Sequence, residues 1–223
     1  MTARVVGVNM RSMRTRTYHH GDLPAALLEA VDEIVREGDI NAVTLREAAR
    51  RAGVSHAAPA HHFGDKAGLL TAYAAQGFAA LRERLLRAGA EAEAVGDPTL
   101  AAMGLAYIRF AVEQPGHFAV MFRPELLDED RPGFREICGG AFAVLVDAVR
   151  ALHSDRDEGD PQTLLAATGA WSIVHGFATL WLEGNLPEAV RTLPLHEAAG
   201  GALGAFGETL RAMGLPATPS ERP

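Results

Sequence analysis

An all-α fold of about nine helices is what this sequence predicts, and three observations carry the prediction. Apolar residues recur every three or four positions along most of the chain, and no run alternates apolar with polar as a half-buried strand would. The segments so marked open at capping residues, as in Thr44-Leu45-Arg46-Glu47, Asp97-Pro98 and Asp160-Pro161, and stop at glycines such as Gly38 and Gly53. The composition, 48% hydrophobic and 22% charged over 223 residues, is that of a globular chain with enough apolar mass for one sizeable core or two small ones.

The first helix is read over residues 22–37, where Leu23, Leu27, Ala30 and Ile34 form a stripe that Val31 and Val35 widen. Thr44 and Glu47 then form a capping box that starts a second helix at Leu45. Its Leu45, Ala48 and Ala49 face inward, and Arg46, Arg50 and Arg51 face solvent. Gly53 ends it, Val54 plugs the corner, and Ser55 is the expected N-cap of a third, short helix carrying His56, Ala57, Ala60 and His61. With that cap Pro59 falls at the fourth helical position, deletes a backbone hydrogen bond and predicts an irregular start. Gly64-Asp65-Lys66 opens a long helix to about residue 89, with Leu69, Leu70, Tyr73, Phe78, Leu81 and Leu85 on its apolar side.

Asp97 as N-cap and Pro98 at the first helical position start the next helix, which presents Leu100, Met103, Tyr107 and Phe110 on one side until Gln114-Pro115-Gly116 stops it. A short segment, His117 to Phe122, leads into the irregular stretch 123–133. Phe134, Cys138, Ala141, Leu145, Val149 and Leu152 then mark another amphipathic helix. After a polar loop, Asp160-Pro161 opens a helix to about Glu183, and residues 195–213 form the last one. Gly169, Ser172 and Gly176, and Gly200, Gly204 and Gly207, give these two helices ridges of minimal side chains. A helical glycine costs about 1 kcal/mol relative to alanine. Close approach of another helix compensates, whether that helix belongs to the same subunit or to a second copy.

Two short helices around a glycine turn with a capped third behind them are a DNA-reading device. Together with Tyr18-His19-His20-Gly21-Asp22-Leu23, the run Gly53-Val54-Ser55, the pair His62-Phe63, and Lys66 with Leu69-Leu70 resemble, over residues 18–72, the N-terminal domain of the tetracycline-repressor (TetR) family of bacterial transcription regulators. The resemblance implies that Thr44, Arg46, Ser55, His56, Ala57, His61, His62 and Lys66 touch double-stranded DNA. Arg46 and His56 would read bases, and Thr44, His62 and Lys66 would hold phosphates. Position 60 departs from the pattern, being Ala where the family usually has Tyr, so that contact must come from elsewhere, His61 being the candidate.

More weakly, Trp171 with His175-Gly176 resembles the Trp-His-Gly signature in the C-terminal domain of one TetR subgroup. TetR-like proteins pair their last two helices with those of a second copy in a four-helix dimer bundle, which the small ridges suit. They also place an effector cavity among the C-terminal helices, for which Met103, Tyr107, Phe110, Phe118, Met121, Phe122, Phe142, Trp171 and His175 are candidates. Each of these serves equally well as a core residue, and His175 as a core histidine with a satisfied hydrogen bond.

Charge is segregated along the chain. Residues 1–66 hold nine Lys/Arg against eight Asp/Glu, and residues 67–223 hold twelve against twenty, within a net charge of −7. A relatively basic first third on an acidic chain fits contact with nucleic acid through one small domain. The single cysteine, Cys138, excludes an intramolecular disulfide and fits a reducing compartment, and its place on an apolar stripe makes an inert thiol the default. Arg4, Arg11, Arg14 and Arg16 have no apolar run behind them and no stretch of 18 apolar residues occurs, so a cytoplasmic protein with no membrane partner is expected.

His19-His20 and His61-His62 do not suggest a metal, because neighbours on a helix diverge by about 100°. No Ser-His-Asp order, paired-carboxylate motif or phosphate loop marks an enzyme, and no cofactor is called for. The expected organisation is a flexible basic arm (1–17), a helix-turn-helix domain (18–66), a C-terminal effector-binding and dimerisation domain (67–213) and a disordered tail (214–223). The expected function is that of a homodimeric repressor on a near-palindromic operator, released by a small, mostly apolar effector. The alternatives are a DNA-binding dimer with no effector and, less in keeping with the motifs, an all-helical enzyme.

Overall fold

The computed structural model of the chain describes residues 22–152 and 159–212, with side-chain surroundings through Ala205. The basic arm, the Tyr18–Gly21 part of the resemblance, Met213, the 214–223 tail and the surroundings of Gly207 lie outside the described residues. Within them the chain forms ten α-helices and two 3-10 turns, and no strand.

Helix α1 (Leu23–Arg36) is capped by Asp22, whose carboxylate accepts from the Ala25 N–H, and it buries Leu27, Ala30, Val31, Ile34 and Val35. A 3-10 turn (Ile40–Ala42) leads to α2 (Leu45–Ala52), where Thr44 Oγ1 accepts from the Glu47 N–H at 3.0 Å and Gly53 closes the C-terminus at φ +69°. The capping box is half made. The Glu47 carboxylate is taken by Arg50 and Arg51 instead of turning back to Thr44.

The third helix, α3 (Ala58–Phe63), starts later than its sequence suggests. Ser55 does not cap it. Its hydroxyl and its carbonyl accept from the N–H groups of Ala57 and Ala58 in a turn, and Ala57 stands at the cap position without a side-chain bond. The delay resolves the proline. Pro59 now lies in the first helical turn, where no intrahelical donor is required of it.

Helix α4 (Lys66–Val95), capped by Asp65 on the Gly68 N–H, runs past residue 89 to Gly96, the first residue after Asp65 with positive φ. Then come α5 (Thr99–Glu113), with Pro98 and not Asp97 at its cap, α6 (Pro115–Met121), a 3-10 turn (Pro124–Leu126) and α7 (Phe134–Ala151). The order closes with α8 (Pro161–Leu182), the four-residue α9 (Glu188–Arg191), which the apolar periodicity was too short to reveal, and α10 (Leu195–Ala212).

The first turns of α4 pack on α1 and α3, and the rest of it packs on α5, α6 and α7. Helix α8 lies on α5 and α7, and α10 on α5 and α8. One apolar core therefore runs from Leu27 and Ile34 through Leu69, Leu70 and Tyr73 to Phe110, Val174 and Ala199. The first three helices and the helices behind them are joined by the continuous helix α4, not by a linker.

Candidate DNA-reading head and ligand cavity

In the head, α2 carries three arginines with different fates. Arg51 makes two hydrogen bonds of 2.6 Å to Glu37 at the end of α1 and a third to Glu47, and its side chain is 18% exposed. Arg50 holds Glu47 with two bonds. The hydrogen bonds from Arg50, and then those from Arg51, hold the Glu47 carboxyl down to about 2. Arg51 is thus a brace between helices and not the solvent-facing side chain its spacing suggested. Arg46 is exposed and has no ion pair among the described residues, so its guanidinium is available to an outside partner.

Thr44, Ser55, His56, Ala57, His61 and His62 are exposed around the α2–α3 corner, while Phe63 and Pro59 turn into the core. The His61 and His62 rings meet edge to face at 5.3 Å. Lys66, half-buried, donates from Nζ to the Asn41 carbonyl at 3.2 Å, tying the start of α4 to the 3-10 turn. The Ala60 position is exposed and empty of any long side chain.

In the body a cavity of about 350 Å³ lies among α4, α5, α7 and α8. Of the candidates named from sequence, Met103, Tyr107, Phe122, Phe142 and Trp171 line it. A second, more open cavity of about 480 Å³ shares Phe78, Phe122, Cys138 and Trp171 with it and adds Met121, His175 and Glu129. Phe110 lines neither. It is fully buried, and the Arg84 guanidinium lies 5.6 Å from its ring centre. Phe118 backs the site, edge to face with Tyr107 and Phe122. Phe78, Leu81, Leu85 and Cys138 were legible as helix stripes and Val174 was not singled out, but nothing in a stripe separates a residue that lines a void from one that fills it.

One polar chain crosses these apolar walls. The Trp171 Nε1–H donates to Tyr107 Oη at 3.2 Å, and Tyr107 Oη lies 2.9 Å from His175 Nδ1. A buried phenol needs an acceptor for its own proton, so His175 accepts at Nδ1 and carries its proton on Nε2. Burial favours this neutral arrangement, raising the Tyr107 phenol above its usual value and holding the His175 imidazole below its own. His175 Nε2–H has no protein acceptor among the described residues and lies on the wall of the outer cavity. Cys138, between the cavities, is pushed up to about 11 by burial and then by the Glu129 charge, so its thiol stays protonated and is a poor nucleophile at neutral pH.

Family models match on both sides of this arrangement. Residues 27–73 match the model of bacterial regulatory proteins of the tetR family, and residues 100–203 match that of the tetracyclin repressor-like C-terminal domain, which together span more than half of the chain. The chain belongs to the TetR family. It is a transcriptional regulator with a helix-turn-helix DNA-binding domain and a helical C-terminal domain.

Among solved structures, a protein of unknown function from Rhodococcus sp. RHA1 is 31% identical, with a TM-score of 0.69 over 86% of this chain and 96% of its own. Two TetR-family structures share the fold at lower identity. One is a regulatory protein from Rhodococcus RHA1, at 19% identity and a TM-score of 0.60 over 82% of this chain and 94% of its own. The other is PfmR from Thermus thermophilus, at 23% and 0.54 over 78% and 93%. No curated protein matches the sequence.

Proposed function

We propose that this TetR regulator acts as a homodimeric repressor whose two α3 helices enter successive major grooves of a near-palindromic operator, and that a small, uncharged, mostly apolar molecule in the α4–α8 cavity releases it. The functional division follows the sequence, with the head in residues 18–66 and effector binding and dimerisation in 67–213. The observation that carries the reading is the pair of adjacent cavities, mostly apolar and sharing lining residues, in one continuous core with the reading head. A volume of about 350 Å³ falls within the ~300–1,000 Å³ of small-molecule sites. The neutral Trp171–Tyr107–His175 chain, in keeping with the Trp-His-Gly resemblance, supplies one hydrogen-bond donor to a ligand acceptor. A charged effector would lose several kcal/mol per ion to desolvation there.

Dimerisation is supported by what α8 and α10 leave uncovered. Leu164, Leu165 and Leu180 are 42%, 63% and 42% exposed. A Cβ at Gly169, Gly176, Gly200 or Gly204 would meet nothing within 4 Å, so packing inside the subunit gives no reason for glycine there. By length and apolarity α8 could cross a bilayer. Its packing on α5, α7 and α10 favours a core helix whose outer face is covered by a second copy.

A thermal-shift screen of neutral apolar compounds tests the effector. A compound at 100 times its Kd should add about 2.7 kcal/mol to stability. It should quench or shift tryptophan fluorescence and release operator over the same concentration range, and Trp171→Phe should remove much of the optical signal, Trp181 giving the rest. Release by an inorganic ion or polyanion, with no response to any apolar compound, would overturn the reading.

A further inference from the structure

The segment between α6 and α7 touches both ends of this machine. On one side, Pro124, Leu127 and Glu129 form a wall of the outer cavity, next to Phe134 at the start of α7. On the other, the Asp128 N–H donates to Thr71 Oγ1 at 2.8 Å, and Arg131 Nη1 donates to the Phe63 carbonyl at 3.2 Å. Thr71 is 1% exposed on α4 and itself donates to the Ala67 carbonyl. Phe63 is the last residue of the recognition helix, where carbonyls have no intrahelical partner, so a guanidinium there satisfies an orphan acceptor and favours the negative end of the helix dipole.

The close approach is built into the sequence at Gly68. A Cβ there would collide with the Phe63 carbonyl oxygen and with Arg131 Nη1, so a glycine in the first turn of α4 lets the helix end and the guanidinium meet. The remaining walls of the outer cavity come from α4, α6, α7 and α8, helices fixed by the core. Residues 124–131 lie outside the α-helices, with Leu126 and Leu127 only partly buried against the core, and are the part of the wall held by the fewest core contacts.

We infer that residues 124–131 are a strap that couples cavity occupancy to the recognition helix. An occupant of the outer cavity presses Leu127 outward, the strap carries Asp128 and Arg131 with it, and α3 loses the guanidinium that holds its C-terminus against α4. Arg131 is on this account a positioning residue, touching neither DNA nor ligand. The inference rests on reading the cavity as the effector site and α3 as the DNA reader, and it names the physical link between them.

Cys138, which lines both cavities and is the chain's single cysteine, allows a test without an identified effector. At mildly alkaline pH the small thiolate fraction of Cys138 adds slowly to the double bond of N-ethylmaleimide, forming one S–C bond while water protonates the neighbouring carbon. Mass spectrometry confirms the label, and Cys138→Phe fills the same space where labelling is incomplete. Amide hydrogen exchange over residues 58–70 should speed up at least about fivefold, the lower end of usual coupling. Arg131→Ala should show faster exchange without label and little further change with it, and Arg131→Lys should restore part of the slow exchange and of the response.

Unchanged exchange over 58–70 in the filled protein, or a full response in Arg131→Ala, would overturn the strap. Binding of unlabelled protein to duplex selected from a random pool keeps the two readings apart. If operator binds and the filled protein keeps both its affinity and its slow exchange, the strap fails while the regulator stands. If no duplex is bound, the regulator reading fails and the strap with it.

Discussion

Arg46 is exposed with no ion pair among the described residues, whereas its two arginine neighbours on α2 are held by carboxylates. Arg50 and Arg51 are held by Glu47 at helical i,i+3 and i,i+4 spacing, and Arg51 also by Glu37 at the end of α1, the one contact that the spacing within α2 could not reveal. Arg46→Ala should therefore cost about 1–3 kcal/mol on operator and less on random DNA if its guanidinium grips a guanine edge. Lys66→Ala should weaken both alike, and competition binding separates the two. Equal losses for Arg46→Ala would move that residue to the backbone.

His117 gives the residue scale a pH dependence. Its ring stacks on Tyr73 at 4.1 Å, its Nδ1 has no hydrogen-bond partner, and burial holds its imidazole below the usual value, with Asp32 opposing and Arg36 reinforcing the shift. His175 is lowered by burial as well. A histidine kept neutral by folding contributes stability that is complete above its unfolded pKa of about 6.5 and is lost as pH falls through that value toward the folded one. Denaturant midpoints should drop between neutral pH and pH ~5, and His117→Gln should flatten part of the drop. A midpoint unmoved over that range would contradict the burial argument.

At the scale of elements, the helices were legible where periodicity and caps agreed and blurred where they did not. Thr44, Asp65 and Asp160 cap as their sequence context implies, and Asp22, read as the first residue of its helix, is found to be its cap. Ser55 does not, because a proline four residues on cannot sit in a helix interior and the start moved to place it in the first turn. Helix α4 outran its apolar stripe because residues 87–95 thin to alanine, glycine and charge while nothing before Gly96 breaks the helix. The cavity was legible as a set of aromatics and not as a space, since Phe110 and Phe122 share a sequence character and differ in what surrounds them.

The small-residue ridges carry the prediction at this scale. Gly176→Leu should leave a folded chain, since a Cβ there meets nothing within the subunit, and should weaken or abolish the dimer and operator binding together. Light scattering that shows an unchanged dimer would remove Gly176 from the interface.

Taken whole, the molecule is a rod, α4, with a reading head on its first turns and a hollow body along the rest. A net charge of −7 makes non-specific attraction to DNA a local property of the head, so affinity should fall steeply with salt while the body contributes little. In the proposed dimer, two heads on one duplex would require half-sites about 34 Å apart, and an occupant that favoured another separation would release DNA by population shift. The most direct measurement is a titration, at fixed salt, of a duplex enriched from a random pool against the same duplex with one half-site scrambled. The account predicts a palindromic winner bound by two chains, with affinity at least about 100-fold lower on the scrambled duplex. One chain bound with equal affinity to both, or no enriched sequence at all, would contradict it.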